Sequence, residues 1–226
     1  MANFKIYPIC LGRTERKGIE TPILSFYVTD GQNNIIVDTG GVKADGIVRM
    51  PYYQEEDETL DKKLSAMGVY LNHINMVILT HLHWDHMSNN HLFTNAKFYV
   101  QKLELHYAVT PIPIHAPGYD LELIFKTKYD VINGDEEIID GISVLLVSGH
   151  SPGSQCVIVR TDAGNYAIAG DFIAQYRCWE SNPRIAGDIH TDLVTYYDSF
   201  RKLEKYCDYI LPGHDYKVLE NNVYPN

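Results

Sequence analysis

No stretch of this chain approaches eighteen uninterrupted apolar residues, which excludes a membrane-spanning helix and argues against a membrane partner. The opening "MANFKIYPIC" has no charged segment leading into an apolar run, so no secretory signal is expected. Cysteine is scarce: Cys10, Cys156, Cys178 and Cys207 lie far apart, with no CxxC pair. A disulfide framework or a cysteine zinc knuckle is therefore not expected, and a reducing cytoplasm is the expected compartment. Positive charge is also short, with 19 Lys and Arg against 29 Asp and Glu and a formal net charge of −10. Such a surface repels phosphates, which argues against a nucleic-acid partner. It suits a neutral or cationic small molecule, or a site that carries its own positive charge. There is no repeat, low-complexity tract or flexible linker, so residues 1–226 read as one domain.

What is present is enough to pack a core, at 45% hydrophobic residues and 12% aromatics. β-type runs cover Phe4 to Ile9, Ile23 to Thr29 and Asn34 to Val37, with "DGQNN" as a hairpin turn between the second and third. "DETLDKKLSAMG" (Asp57 to Gly68) has the charge order and terminal glycine of a helix. Met76 to Leu79 predicts a buried strand, Lys102 to Val109 a helix, and Thr110 to Asp120 an irregular segment broken by three prolines. Further strands are expected at Ile142 to Val147, Gln155 to Arg160, Tyr166 to Ala169 and Tyr209 to Leu211, and a helix at Asp192 to Tyr206. Strands in two groups with helices between them predict an α/β protein, an αβ/βα sandwich of two mixed β-sheets flanked by helices.

The chemistry is concentrated in "THLHWDH", which sets His81, His83, Asp85 and His86 at the end of an apolar run. Alternation at a strand end turns His81 and His83 to one side. Imidazole and carboxylate are good ligands for zinc and related divalent ions, and this spacing can feed two neighbouring ions. Three more apolar runs end the same way: "LLVSGHSPGSQ" presents His150, "YAIAGDF" presents Asp171 and "YILPGHD" presents His214. One pattern used four times delivers five histidines and two aspartates to one sheet edge. His73 and His91 lack such a setting and read as structural, while His115 and His190 lie in irregular stretches that could line a pocket.

In order and spacing, "DTGG", "THLHWDH", "SGHSPGSQ", "AGDF" and "PGHD" resemble the metallo-β-lactamase superfamily, and within it the N-acyl homoserine lactonases. The resemblance implies the fold of that superfamily and a metal-dependent hydrolase of an ester bond. It implies two divalent ions, zinc first and manganese, iron or cobalt as alternatives. His81, His83 and His150 would hold one ion, Asp85, His86 and His214 the other, with Asp171 bridging and Asp38 bracing a ligand from behind. A bridging hydroxide would attack a lactone carbonyl, and Asp85 would protonate the leaving alkoxide. Those lactonases carry a tyrosine three residues after the bridging aspartate; here that position is Ala174, and Tyr176 lies two further on.

The partner expected is a small molecule, an N-acyl homoserine lactone or a related cyclic ester, taken by a monomer or a homodimer. A thioester hydrolase of the glyoxalase II type is the alternative, but it needs a helical segment after "PGHD" that is not expected here. The acidic balance opposes a nuclease, the lack of a secretory signal a β-lactamase, and the full ligand set a non-catalytic binding protein. Pocket walls are expected from Met50 to Glu56, Thr110 to Asp120 and Phe172 to His190, with Tyr52, Tyr53, Phe172, Tyr176 and Trp179 as candidate grips for an acyl chain. Arg177 and Arg184 are candidates for a substrate carboxylate.

Overall fold

The computed structural model describes residues 3–16, 18–42 and 51–226. The chain opens with a long antiparallel hairpin, β1 (Lys5–Arg16) and β2 (Ile19–Thr29), continued by β3 (Asn34–Val37). The expected turn between β2 and β3 forms because Asp30 Oδ1 accepts from the backbone N–H of Gln32 and of Asn33. The two-residue β4 (Tyr52–Tyr53) pairs with the other side of β1. Then come α1 (Leu60–Ala66), β5 (Met76–Ile78), α2 (Trp84–Met87), β6 (Lys97–Gln101), α3 (Lys102–Val109), α4 (Leu121–Lys126) and β7 (Tyr129–Ile132). The first sheet has seven strands in the order β4-β1-β2-β3-β5-β6-β7, and β3, β5, β6 and β7 run parallel.

The second sheet is built from the antiparallel strands β8 (Glu136–Ile139), β9 (Ile142–Leu146), β10 (Gln155–Thr161) and β11 (Gly164–Ile168). After α5 (Tyr176–Glu180) and α6 (Leu193–Leu203), β12 (Tyr209–Leu211) joins β11 in parallel, giving the order β12-β11-β10-β9-β8. Alternate residues of the inner strands face different layers. Leu24, Phe26 and Val28 of β2, with Ile35 and Val37 of β3, meet Val144, Val157, Val159 and Ile168 between the sheets. Their neighbours Ile23, Tyr27 and Ile36 pack outward against Leu60 and Leu64 of α1. Cys156 and Ile158 of β10 pack outward on Tyr196, Phe200 and Leu203 of α6. Both faces of these strands are buried, so they read as continuous apolar runs, and the predicted αβ/βα sandwich is the architecture observed.

Several elements differ from expectation. The helix expected over Asp57 to Gly68 is confined to Leu60–Ala66, because Glu58 turns back to accept from the backbone N–H of Glu55. The short strands β6, β7 and β8 ("KFYVQ", "YDVI", "EEII") carry charges that hide them, since β7 and β8 are sheet edges with one open side. β5 stops at Ile78, so His81 and His83 lie in the loop between β5 and α2 and not on a strand end. Among the described residues, no helix is long and apolar enough to cross a membrane.

Candidate metal centre

The loops that follow β3, β5, β9, β11 and β12 converge at one edge of the two sheets. They bring together His81, His83, His150 and Asp171 in one group and Asp85, His86 and His214 in another, all seven of the residues expected from sequence. His83 Nδ1 lies 3.0 Å from His81 Nε2 and 3.1 Å from His150 Nε2, so three ring nitrogens face one point. Asp171 spans the two groups. Its Oδ1 is 2.7 Å from His214 Nε2 and 3.0 Å from His86 Nε2, and its Oδ2 is 3.5 Å from His150 Nε2 and 3.9 Å from His81 Nε2. Asp85 Oδ2 lies 3.6 Å from His214 Nε2 and 3.8 Å from His86 Nε2.

The site fits cations. Although His86 Nε2 and Asp171 Oδ1 are 3.0 Å apart, neither has a hydrogen-bond partner, so both aim at a common point and not at each other. Burial, with His86 and His83 beside it, pushes the pKa of His81 well below the usual histidine value; burial and His150 do the same to His83. Both rings therefore stay neutral, the ligating form. Burial also disfavours charge on His86 and His214, but the carboxylates around them prevail. Asp85, Asp171 and Asp38 hold His86 well above its usual value, and Asp171 leads in raising His214 to about 9. Burial alone would raise the Asp171 pKa, but His214, His86 and His150 hold it well below the usual carboxylate range. Without an ion, protons on His86 and His214 supply the positive charge these carboxylates need.

The expected support from Asp38 is present. Its Oδ2 lies 2.7 Å from His86 Nδ1 and accepts from Thr80 Oγ1 at 2.7 Å, and its Oδ1 accepts from the Thr80 backbone N–H at 2.7 Å. With Nδ1 donating to Asp38, His86 turns Nε2 toward Asp171 and Asp85. Asp38 adopts φ +58°, a left-handed conformation that a short acidic side chain tolerates. His150 Nδ1 and His214 Nδ1 point at the carbonyls of Ile189 and Pro22, 3.0 and 2.7 Å away, which orients Nε2 of each ring inward. On the other side of His83, a Cβ added to Gly118 would stand 2.6 Å from His83 Cδ2, so only glycine fits there.

Two buried residues near this centre lack a sequence signal. His115 is only 1% exposed, with its ring centroid 5.7 Å from that of His83 and 5.9 Å from that of His150. Neither of its nitrogens has a hydrogen-bond partner, and burial, with His150 and His190 nearby, lowers its pKa to about 4. Glu104 in α3 is completely buried. His73 and His91, read as structural, are exposed and belong to neither ligand group, and His190 Nδ1 sits 2.7 Å from the carbonyl of Gly187.

A cavity of about 320 Å³ opens over Asp85, His150, Asp171 and His214. Ile19, Ala174, Ile185, Ala186 and Ile189 form its apolar wall, and Thr14, Thr21, Gln175 and Arg177 its polar one. Among the described residues, none of the five aromatics expected to grip an acyl chain lines it; Met50, at the start of the first expected wall, lies outside the described residues. Tyr52 donates to the Leu11 carbonyl at 2.8 Å and stacks edge-on against Trp84. Tyr53 lies under Arg13, and Phe172 packs on Tyr196 and Phe200 in the outer core. Tyr176 packs on the inter-sheet core and does not stand in for a tyrosine at Ala174. Trp179 is capped by the Arg184 guanidinium at 3.5 Å, and Arg184 also pairs with Glu204. Of the two arginines, only Arg177 faces the cavity.

Residues 18–214 match the metallo-beta-lactamase superfamily. The chain belongs to that superfamily. Within it, the N-acyl homoserine lactonase AiiA of Bacillus thuringiensis subsp. kurstaki is 30% identical over 162 residues, 66% of this chain and 62% of the relative. The chain thus spans just under two thirds of that relative's length. A probable metallo-hydrolase of Methanocaldococcus jannaschii is 29% identical over 162 residues, 72% of this chain and 67% of its own. A solved N-acyl homoserine lactone hydrolase, with the product N-hexanoyl-L-homoserine at its catalytic metal centre, superposes with a TM-score of 0.81 at 24% identity. The superposition covers 100% of this chain and 99% of the solved one. That likeness shows the fold, and the histidine and aspartate clusters in it, with membership of the superfamily, support divalent-metal binding.

Proposed function

We propose that this superfamily member is a dinuclear metal-dependent hydrolase that opens a lactone, an N-acyl homoserine lactone or a related cyclic ester. The observation that carries this reading is Asp171, whose two oxygens face two separate ligand groups. His81, His83 and His150 would hold one divalent ion and Asp85, His86 and His214 the other, with Asp171 shared; nitrogen and carboxylate donors favour zinc over harder ions. When bound, the two ions supply a hydroxide nucleophile at neutral pH and a Lewis acid for the carbonyl oxygen.

The chain's own residues do the rest. Asp85, at the cavity floor beside His214, is placed to return a proton to the ring oxygen as it leaves. A covalent route is disfavoured. Cys178 reaches the cavity, but burial raises its thiol pKa, and Thr14 has its hydroxyl donated to the Pro51 carbonyl. The aliphatic wall of Ile19, Ile185 and Ile189 accommodates an apolar acyl group. The relatives named for lactone hydrolysis support the choice of a cyclic ester.

A panel of lactones, thioesters, β-lactams and phosphodiesters, assayed with zinc-loaded protein, tests the proposal. Hydrolysis in heavy-oxygen water should place one labelled oxygen in the product carboxylate, with the ring oxygen leaving as an alcohol. Turnover of a thioester or phosphodiester with no lactone opened would sink the lactonase reading. Ala174 lines the cavity where the lactonases carry a tyrosine, so Ala174→Tyr should raise homoserine lactone turnover.

A further inference from the structure

Beyond Asp85, Asp171 and the Asp38 brace, a further carboxylate is tied to the segments that carry the proposed ligand histidines. It belongs to Glu104, which is 0% exposed in the first turn of α3. Its Oε1 accepts from the Leu82 backbone N–H at 3.0 Å and from the Tyr119 hydroxyl at 2.9 Å, and its Oε2 accepts from Ser151 Oγ at 2.5 Å. Leu82 lies between His81 and His83, Ser151 follows His150, and the Tyr119 ring sits 4.7 Å from that of His83. One side chain thus ties together three segments that carry or flank every histidine of the first ligand group.

The packing around this tie is close. A Cβ on Gly153 would fall 2.0 Å from the Glu104 backbone nitrogen, so the loop carrying His150 rests directly on α3. Ser154 Oγ lies 2.7 Å from Ser151 Oγ and accepts from the Ser151 backbone N–H at 3.0 Å, which fixes the donor that reaches Glu104. A buried carboxylate among neutral donors is costly in a plain core position, where an apolar side chain would serve. Here three donors from three segments hold it.

We propose that Glu104 is a positioning residue that sets the separation between the loop of His81 and His83 and the loop of His150, and so governs metal affinity at the first group. The proposal rests on the dinuclear reading above. Glu104→Gln removes the charge but keeps the tie: its Oε1 accepts from Leu82 and Tyr119, and its amide donates to Ser151 Oγ, whose proton turns to Ser154. Glu104→Leu removes both.

The test is zinc binding by competition with a chromophoric chelator, together with the visible spectrum of cobalt(II)-loaded protein. Glu104→Leu should weaken binding at the three-imidazole group by about 10- to 100-fold and diminish its cobalt band, with the second group little changed. Glu104→Gln should stay within about tenfold of the parent. Should Glu104→Leu not fold, as judged by circular dichroism, Ser151→Ala and Tyr119→Phe each delete one donor and should each weaken the first group several-fold. A folded Glu104→Leu, or both single-donor variants, binding two ions with parental affinity and spectrum would overturn the proposal. Equal losses in Glu104→Gln and Glu104→Leu would overturn positioning in favour of a charge effect. A parent chain that holds one ion refutes the dinuclear reading instead, and the same variants then judge Glu104 on that ion; a parent that holds none overturns both.

Discussion

Replacing Asp38 by asparagine changes one atom in a network whose every proton is assigned by geometry. Asparagine would still tolerate φ +58° at this position, so the backbone is not the variable. The difficulty is that both oxygens of Asp38 face donors: Oδ1 the Thr80 backbone N–H, Oδ2 the Thr80 hydroxyl and His86 Nδ1, each at 2.7 Å. With the amide nitrogen in the Oδ1 position, a buried backbone N–H meets another N–H. With the amide nitrogen in the Oδ2 position, the Thr80 hydroxyl can turn to accept, but His86 must give up its Nδ1 proton and keep the one on Nε2, the atom facing Asp171. The first leaves one buried donor without an acceptor, at about 1–3 kcal/mol, and the second acts on metal binding, because a proton held on Nε2 competes with the ion. At about 1.4 kcal/mol per tenfold, that is roughly a 5- to 150-fold effect.

The two orientations report in different assays. The first lowers the stability of metal-free protein, and the second lowers metal affinity at the group containing His86. Denaturant unfolding of metal-free protein, paired with a chelator-competition titration, captures both, and their summed loss should fall in that range. If Asp38→Asn shifts neither by more than the roughly 0.5 kcal/mol of a neutral substitution, the proton assignment at His86 is wrong.

Other substitutions and conditions probe the same site from different sides. Asp171→Asn should lose bound metal and turnover together, whereas Asp162→Asn, on an exposed turn, should change neither; elemental analysis of gently purified protein decides it. Gly118→Ala places a Cβ 2.6 Å from His83 Cδ2, so displacing that ring should cost about 1–3 kcal/mol, seen as weaker zinc binding with the metal-free fold less affected. In the metal-free fold His214 has its pKa raised to about 9 and His86 is raised as well, so both are protonated at neutral pH. Metal must displace those protons: zinc affinity should rise with pH from neutrality through about 9, and calorimetry in buffers of different ionisation enthalpy should show proton release. A raised folded-state pKa stabilises below the unfolded value and fades as pH passes the folded one, so metal-free protein should melt lower at pH above 9 than at neutrality.

The residues that converge at the candidate metal centre were legible because ligation demands particular residue types at strand ends, and apolar runs followed by His or Asp in a turn mark those ends. His81 and His83 share a side as expected, yet the strand stops at Ile78 and their alignment comes from an extended loop leading into α2. The sheet interior was legible for a related reason: the stretches 23–28, 35–37, 76–78 and 156–159 are buried on both faces, so they are almost wholly apolar. Glu104 gives no such signal. In "KLELHYAV" it reads as one more acid on a surface helix, and only the tertiary approach of the loop at Gly153 makes it interior. His115 is hidden the same way, within a proline-broken segment whose path against His83 and His150 no local pattern encodes.

The substrate wall shows why the site's chemistry is easier to read than its specificity. A ligand set is constrained by the valence of an ion, whereas an aromatic side chain is satisfied by any apolar neighbour. Tyr52, Phe172, Tyr176 and Trp179 all found theirs within the protein, against Trp84, Phe200, the inter-sheet core and Arg184 respectively. The cavity is left to small and branched aliphatic residues, with Arg177 and Gln175 at one side. Ala174 presents only a methyl group to the cavity, at the position where the lactonase resemblance implies a tyrosine, and so leaves space there. A lactone bulkier near its ring than a homoserine lactone would fill that space without losing access to the metal centre. The lactone panel should therefore vary substituents on the ring before it varies the length of the acyl chain.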